Sequence, residues 1–448
     1  MSEVDHPALD GQTDVGARLA LHPTDPEAWL EQARLLAQRG DTEASLEACR
    51  RALEFWPDVT RVYRLQLELA RARHDPILLL QALHGLVRMK PDDAGLNSEL
   101  GAALCQGGDF ASAIPFLRAA VPVLGHDNNT LWNYTSALAA TGAYRELVDA
   151  QGLLDRLAAE GPSPYPPYAH LAVAKLAEDI DREALVTEAS ALRASLRWLA
   201  PESVSETLSR VIAAQEPFSL VRLDFALARF VCFLSLRANR VLRPAELSAM
   251  VNSVWEGWFG APVETLGVVF LSGLERAFND ALRNADVTGL PEPAHLLHEH
   301  YHFGFLAEMQ RIVARNGNTS FTTVHIVDML HESVPYLRPL LSGLPFLGIV
   351  GSYPALFRKL GRFCGVADTR TILVPCDASM PVPPDGMAGA DFLPHQHLRI
   401  LDEIAVPFRG AVFLVSAPGP LGILYCGRIK ALGGIAIDIG ALAHRWAA

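Results

Sequence analysis

"GAVFLVSAPGPLGILYCGRIKALGGIAIDIG", residues 410 to 440, sets the architecture of the C-terminal half. An apolar run ending near Ser416 meets a Gly/Pro turn, then a helical stretch, then a second apolar run ending at Asp438. Two short β-rich runs joined by a helix are the unit of a parallel sheet, because parallel neighbours need a crossover. Gly419 and Gly422 open the helix, where free N–H groups can meet a phosphate. Asp438 lies 19 residues after Gly419, near the spacing of the ribose-binding acid in dinucleotide folds. The turn reads GPLG rather than GxGxxG, and Pro418 and Pro420 remove donors. Tight strand–helix packing explains the same glycines without a ligand.

Working outward, further β-rich runs occur at 218–223 (FSLVRL), 286–290 (DVTGL), 322–328 (TTVHIVD), 347–352 (LGIVGS) and 369–375 (TRTILVP). Helical stretches such as 262–284 and 301–315 separate most of them. The alternation predicts an α/β domain with a largely parallel sheet, whose ligands would bind at the carboxyl ends of the strands.

The N-terminal half reads differently. Gly40-Asp41 recurs as His74-Asp75, Gly108-Asp109 and Gly142-Ala143, each 34 residues on, and Pro57 and Pro91 share the spacing. Trp29, Ala33 and Leu36, then Ala48 and Ala52, stand at helical spacing around the first glycine. A helix–turn–helix period of this length resembles the tetratricopeptide repeat. Glycine permits the left-handed turn after the first helix, and proline breaks the second. Four repeats cover about residues 23–160, the second degenerate with Leu86 where alanine is usual. Residues 165–200 read as one more helical pair, a cap. The expected organisation is an N-terminal segment (1–22), an all-α solenoid with cap (23–200) and an α/β domain (201–448). Such an array offers a groove for a protein or peptide, or it packs on its own C-terminal domain.

The formal charge of −12 and pI of about 5.7 argue against nucleic acid or an anionic membrane as partner. The N-terminus is acidic without an apolar run, so no secretory signal is expected, and no apolar stretch is long enough to span a bilayer. Six scattered cysteines without a CxxC pair read as reduced, buried thiols. A cytoplasmic protein is expected.

Segments 218–223, 255–264 (WEGWFGAPVE), 281–291 (ALRNADVTGLP), 413–440 and the closing HRW (444–446) together resemble the bacterial GT-D-fold glycosyltransferases of surface-polysaccharide loci. Their last segment typically reads like GAGxLGKxYCxxIKxxGGIALDIGS. The resemblance implies a Rossmann-like sheet, a sugar-nucleotide donor and glycosyl transfer to a glycan or protein. It places Arg222, Gly419, Gly422 and Asp438 at the donor site. Repeat arrays of this kind accompany some bacterial protein glycosyltransferases, where they are thought to receive the acceptor.

The departures fall on the chemistry. Active relatives continue the first strand with a sequence like RLGDGEGRF, whose D-x-E carboxylates are held to bind the metal and the diphosphate. Here Arg222-Leu223 and Arg229-Phe230 match, but Phe225 and Leu227 stand in place of the acids, and Asp224 lies one residue early. Ile423 replaces the usual lysine, and Ala441 and Ala443 replace a serine and an acid. Mg²⁺ or Mn²⁺, needed only by an active site, takes oxygen ligands that phenyl and isobutyl groups cannot supply. No metal site is assigned.

Asp224 and His325 remain as candidates for a compensating catalytic acid or base. HLLHEHYHF holds His295, His298, His300 and His302; on a helix His295/His298 and His298/His302 have metal-pair spacing and Glu299 could join, a partly exposed polar face being the alternative. Cys376-Asp377 ends a strand and could touch a ligand, a lone cysteine being weak evidence for a nucleophile, and the Pro/Gly-rich 376–394 reads as a lid or a linker. Three functions stay open: an active glycosyltransferase; a non-catalytic relative or adaptor built on the repeats; and a nucleotide-dependent oxidoreductase, suggested only by Gly419, Gly422 and Asp438.

Overall fold

The structure, a computed structural model, describes residues 10–56, 60–125, 127–160, 165–178, 180–195, 197–236, 242–298, 303–314, 319–333, 337–379, 387 and 392–447. Pro57 of the repeat register lies outside them. The chain forms two compact units, one of residues 1–141 with 152–164, the other of 142–151 with 165–448.

The first unit is a solenoid of helical pairs: α1 (Asp10–Leu21), α2 (Pro26–Gln38), α3 (Thr42–Phe55), α4 (Thr60–Arg73), α5 (Pro76–Met89), α6 (Ala94–Gln106), α7 (Phe110–Leu124) and α8 (Asn128–Thr141). The 34-residue register is a register of backbone conformation. Gly40, His74, Gly108 and Gly142 all have positive φ, between 53° and 79°. After each of the first three the chain closes the same way: Asp41, Asp75 and Asp109 donate their N–H groups back to Leu36, Ala70 and Leu104, each at 3.0 Å. The same aspartates then cap the next helix with their side chains. Each Gly/His-Asp pair therefore ends one helix and starts the next. The degenerate second repeat keeps Leu86 buried, and beside it the ring of Tyr63 occupies the space that a Cβ on Gly85 would need.

His74 holds a left-handed conformation that glycine adopts without steric cost. His74→Gly is expected to stabilise the first unit by about 0.5–1 kcal/mol, the steric relief exceeding the added unfolded-state entropy. A urea midpoint that does not rise would show that His74 makes compensating contacts.

The second unit contains a seven-stranded sheet: β1 (Phe218–Arg222), β2 (Val287–Leu290), β3 (Ser320–Thr323), β4 (Phe346–Gly351), β5 (Asp368–Leu373), β6 (Val412–Val415) and β7 (Ile435–Asp438). Its order is β3-β2-β1-β7-β6-β4-β5, and every pairing is parallel. The inner strands β4, β6 and β7 are largely apolar runs because both their faces are covered, whereas the edge strand β5 opens on the exposed Asp368, Thr369 and Arg370. Phe230, Trp255, Phe278, Phe413 and Tyr425 lie in the core on one face; Leu208, Leu347, Leu414 and Ile437 lie in the core on the other. The strand expected over 322–328 stops at Thr323, and helix Ile326–Ser333 begins three residues later.

The pair at 165–200 packs inside this second unit. Ala172, Val173 and Ala177 of helix Tyr165–Ala177, and Leu185 and Ala189 of helix Arg182–Ala194, share the core of Phe230 and Trp255. Pro167 to Ala174 are buried without a break, which a repeat helix with one exposed face would not allow. The division expected near residue 200 therefore falls near 165.

Candidate ligand cleft

The chain runs from β1 outward through β2 and β3, then resumes on the far side of the sheet and returns through β6 to β7 beside β1. Succession reverses between β1 and β7, and a crevice at the carboxyl ends follows from that reversal. A cleft of about 290 Å³ opens there, lined by Arg222, Asp224, His325, Gly419 and Asp438 among others. The topology thus brings five of the six candidate residues to one place. The sixth, Gly422, sits in the first turn of helix Leu421–Ala431 with Asp438 Oδ1 3.6 Å from where its Cβ would be.

Asp438 ties the two central strands together. Its Oδ2 accepts from the Arg222 N–H at 3.3 Å, and its Oδ1 from the Gly440 N–H at 3.0 Å. Burial pushes its carboxyl above the usual range; the Arg222 charge and the hydrogen bonds from Gly440 and Arg222 oppose that shift, and Asp224 adds to it.

Arg222 is held loosely. Its side chain is only 14% exposed, yet Nη2 stands 3.9 Å from Asp438 and Nη1 3.5 Å from the Val324 carbonyl. Its Nε is buried and has no hydrogen-bond partner among the described residues. A Cβ on Gly440, where φ is +43°, would fall 1.7 Å from Nη2, so the guanidinium fills space that only glycine leaves. A nearly buried cation with spare donors at a cleft wall can receive an anion.

Asp224 is exposed, and its Oδ1 accepts the Leu227 N–H at 2.8 Å. It is the N-cap of helix Phe225–Leu236, which explains an acid at this point without catalysis. Strand β1 ends at Arg222, so strand alternation does not govern where Asp224 points. Leu227 is buried and Phe225 half-buried, its ring edge-on to His295 at 5.0 Å between centroids. Ile423 is buried as well. Phe225 and Leu227 are thus apolar walls of this cleft.

His325 lies in the turn between β3 and the next helix, half-exposed, with Nδ1 3.8 Å from Asp328 Oδ2; Asp328 itself pairs with Arg445. His295 Nδ1 accepts the Glu292 N–H at 3.0 Å, and its ring is 5.9 Å from that of His325. Glu299, His300 and His302 lie outside the described residues, as does the side chain of His298. Among the described residues no three His, Cys, Asp or Glu side chains are placed to hold a metal ion.

No protein-family model and no curated protein matches this chain. Among solved structures it is similar to YrrB, described as a TPR protein with an unusual peptide-binding site, at 16% identity over 38% of this chain and 86% of that one, TM-score 0.29. It is similar to the type IV pilus biogenesis factor PilW at 16% identity over 49% and 96%, TM-score 0.23. It is also similar to a mutant O-GlcNAc transferase of Thermobaculum terrenum at 15% identity over 92% and 74%, TM-score 0.22. At scores this low the likenesses assign neither chemistry nor ligand to the cleft. Among the described residues no helix is long and apolar enough to cross a membrane.

Part of the cleft lining was not foreseen from the sequence, although Asp377, beside Cys376 at a strand end, was expected to be able to touch a ligand. Ser352, Asp377, Ser416 and His444 also line the cleft, and Tyr353 OH bonds to His444 Nδ1. Burial lowers the His444 pKa, against the pull of Asp377. The signal was available: Asp377 follows a strand end, and His444 opens the closing HRW. Cys376 itself is buried, with its thiol pushed up by burial, so it is a poor nucleophile. Trp258 was missed too. Its ring stands 2.4 Å from where a Cβ of Gly419 would be, so packing alone demands that glycine.

Proposed function

We propose that the second unit binds a sugar nucleotide in the cleft between β1 and β7 without transferring its sugar, and that the repeat unit holds a protein partner. The observation that carries this reading is the Arg222 guanidinium, nearly buried at the switch point with both Nη groups only loosely engaged, at 3.5 Å from the Val324 carbonyl and 3.9 Å from Asp438. A diphosphate on Arg222 would use those donors. The carboxylates of Asp224 and Asp377 would repel phosphate but accept hydrogen bonds from ribose and sugar hydroxyls. A ligand carrying both an anionic group and hydroxyls suits this lining better than a bare polyphosphate.

The residues present do not fit a divalent ion. Phe225 and Leu227 offer no oxygen, and Asp224 is engaged as a helix cap. Without a metal or a second cation, a diphosphate leaving group lacks the neutralisation that transfer requires. The resemblance to GT-D glycosyltransferases is retained here as the origin of the cleft. An active enzyme using Asp224 and His325 is the second reading, favoured by the exposure of both toward the cleft.

Thermal-shift titration with UDP-, GDP-, CMP- and dTDP-sugars, with and without Mn²⁺, separates these readings. Binding at 100 times Kd adds about 2.7 kcal/mol to stability. We expect stabilisation by at least one of them without Mn²⁺, and no release of nucleoside diphosphate, or of CMP from the CMP-sugar, above a blank. Mn²⁺-dependent release abolished by Asp224→Asn or His325→Gln would establish the enzyme. No stabilisation by any of them would leave the protein a repeat-based adaptor.

A further inference from the structure

Within the solenoid, α2 lies against α4, and a groove of about 690 Å³ opens between them. Arg34 of α2 and Arg61 and Arg64 of α4 line it, with Leu65 and Glu68. Arg61 pairs with Glu27, whereas neither Arg34 nor Arg64 has a hydrogen-bond or ion-pair partner among the described residues. Both are exposed. The 34-residue register accounts for the convergence: Arg34 and Glu68 hold one repeat position, Glu27 and Arg61 another, so neighbouring repeats alternate in charge there. On a chain of net charge −12, a groove with two unpaired guanidinium groups runs against the general field and concentrates anions locally.

We propose that this groove takes an acidic peptide segment, whose carboxylates meet Arg34 and Arg64 in fork geometry while an adjacent side chain rests on Leu65. The inference rests on the reading of the repeat unit as a protein receptor and names the partner's chemistry. Glu68 sets the spacing, since carboxylates must reach both arginines without approaching it.

The test uses the full chain and fluorescence anisotropy with three fluorescein-labelled decapeptide pools, rich in Asp/Glu, in Ser/Gln and in Lys/Arg, plus a single-stranded oligonucleotide. The acidic pool should bind, more weakly at 200 mM than at 50 mM salt. Arg34→Gln with Arg64→Gln should weaken it about tenfold or more. Both positions are exposed, and an unchanged circular dichroism spectrum would verify folding of the variant. Acidic binding indifferent to the double variant would overturn the proposal, as would tighter binding of the oligonucleotide. If another pool binds and the acidic one does not, the array receives peptides but of other chemistry. If no pool binds, both the proposal and the receptor reading fail.

Discussion

Asp438→Ala should lower the stability of the second unit by about 3–5 kcal/mol, because it strands a nearly buried guanidinium and two backbone donors at once. The carboxylate bonds to the N–H groups of Arg222 and Gly440 across the β1–β7 boundary, and among the described residues no neighbouring acid is buried beside them to take over. Asp438→Asn keeps one acceptor oxygen and should cost less. The two variants also separate by pH. Burial raises the Asp438 pKa in the folded state, so the folded protein holds this proton more tightly than the unfolded chain. The stability this contributes is full below the unfolded value of about 3.9 and is lost as pH rises through the folded value. Asp438→Asn should therefore flatten the fall in stability above about pH 4. Urea midpoints across pH check this, and a parallel shift of both profiles would show that Asp438 does not titrate as described. An alanine variant as stable as the parent would remove Asp438 from the structural core and return it to a purely ligand-binding role.

Phe225→Asp with Leu227→Glu recreates the carboxylate pair of the GT-D pattern, and it should both destabilise the domain and fail to create turnover. Two effects compete. Leu227 is the third residue of its helix after the Asp224 cap, so glutamate there completes a capping box and faces the positive helix end, worth about 1 kcal/mol. Against this, Leu227 is buried, and removing it loses about 1.5–3 kcal/mol of burial while placing a charge among apolar side chains. Phe225 adds the loss of its contact with His295. Burial wins, with a net loss of about 2–4 kcal/mol. Turnover should stay at background because the cleft still lacks a second cation to neutralise a leaving phosphate, and Ile423 near the helix start stays buried in the core. Denaturant unfolding and a coupled assay for nucleoside diphosphate read the two outcomes. Mn²⁺-dependent release by the double variant would show that the two carboxylates alone are what the cleft lacks.

Several features were legible because they are local. The glycine-aspartate register announced both the left-handed turns and the helix caps, since each depends on one or two residues. The β-rich runs announced the strands, and the chain order of strand and helix announced the parallel sheet. Segment 165–194 was misplaced for a physical reason: a helical pair carries the same periodicity whether it caps a solenoid or enters a core. What distinguishes it is the unbroken burial from Pro167 to Ala174, a tertiary property. In the cleft, Gly419 and Asp438 were legible from the ends of strands and helices, and Arg222 only through the resemblance. That Trp258 and His444 join Asp377 in the lining was not legible, because they come from separate parts of the chain and only packing brings them together. Asp224 shows the reverse limit. An acid after a strand reads as chemistry, and its hydrogen bond to Leu227 N–H gives it a structural task.

The central claim is that Arg222 receives the anionic part of a sugar nucleotide without help from a metal. Isothermal titration of the parent, Arg222→Lys and Arg222→Gln with the nucleotide sugar that stabilises best, in EDTA, tests it most directly. Lysine keeps the charge but loses the fork, so affinity should fall in the order parent, lysine, glutamine, with about tenfold or more between the ends. Equal affinity for all three folded proteins, or binding seen only when Mn²⁺ replaces EDTA, would contradict it.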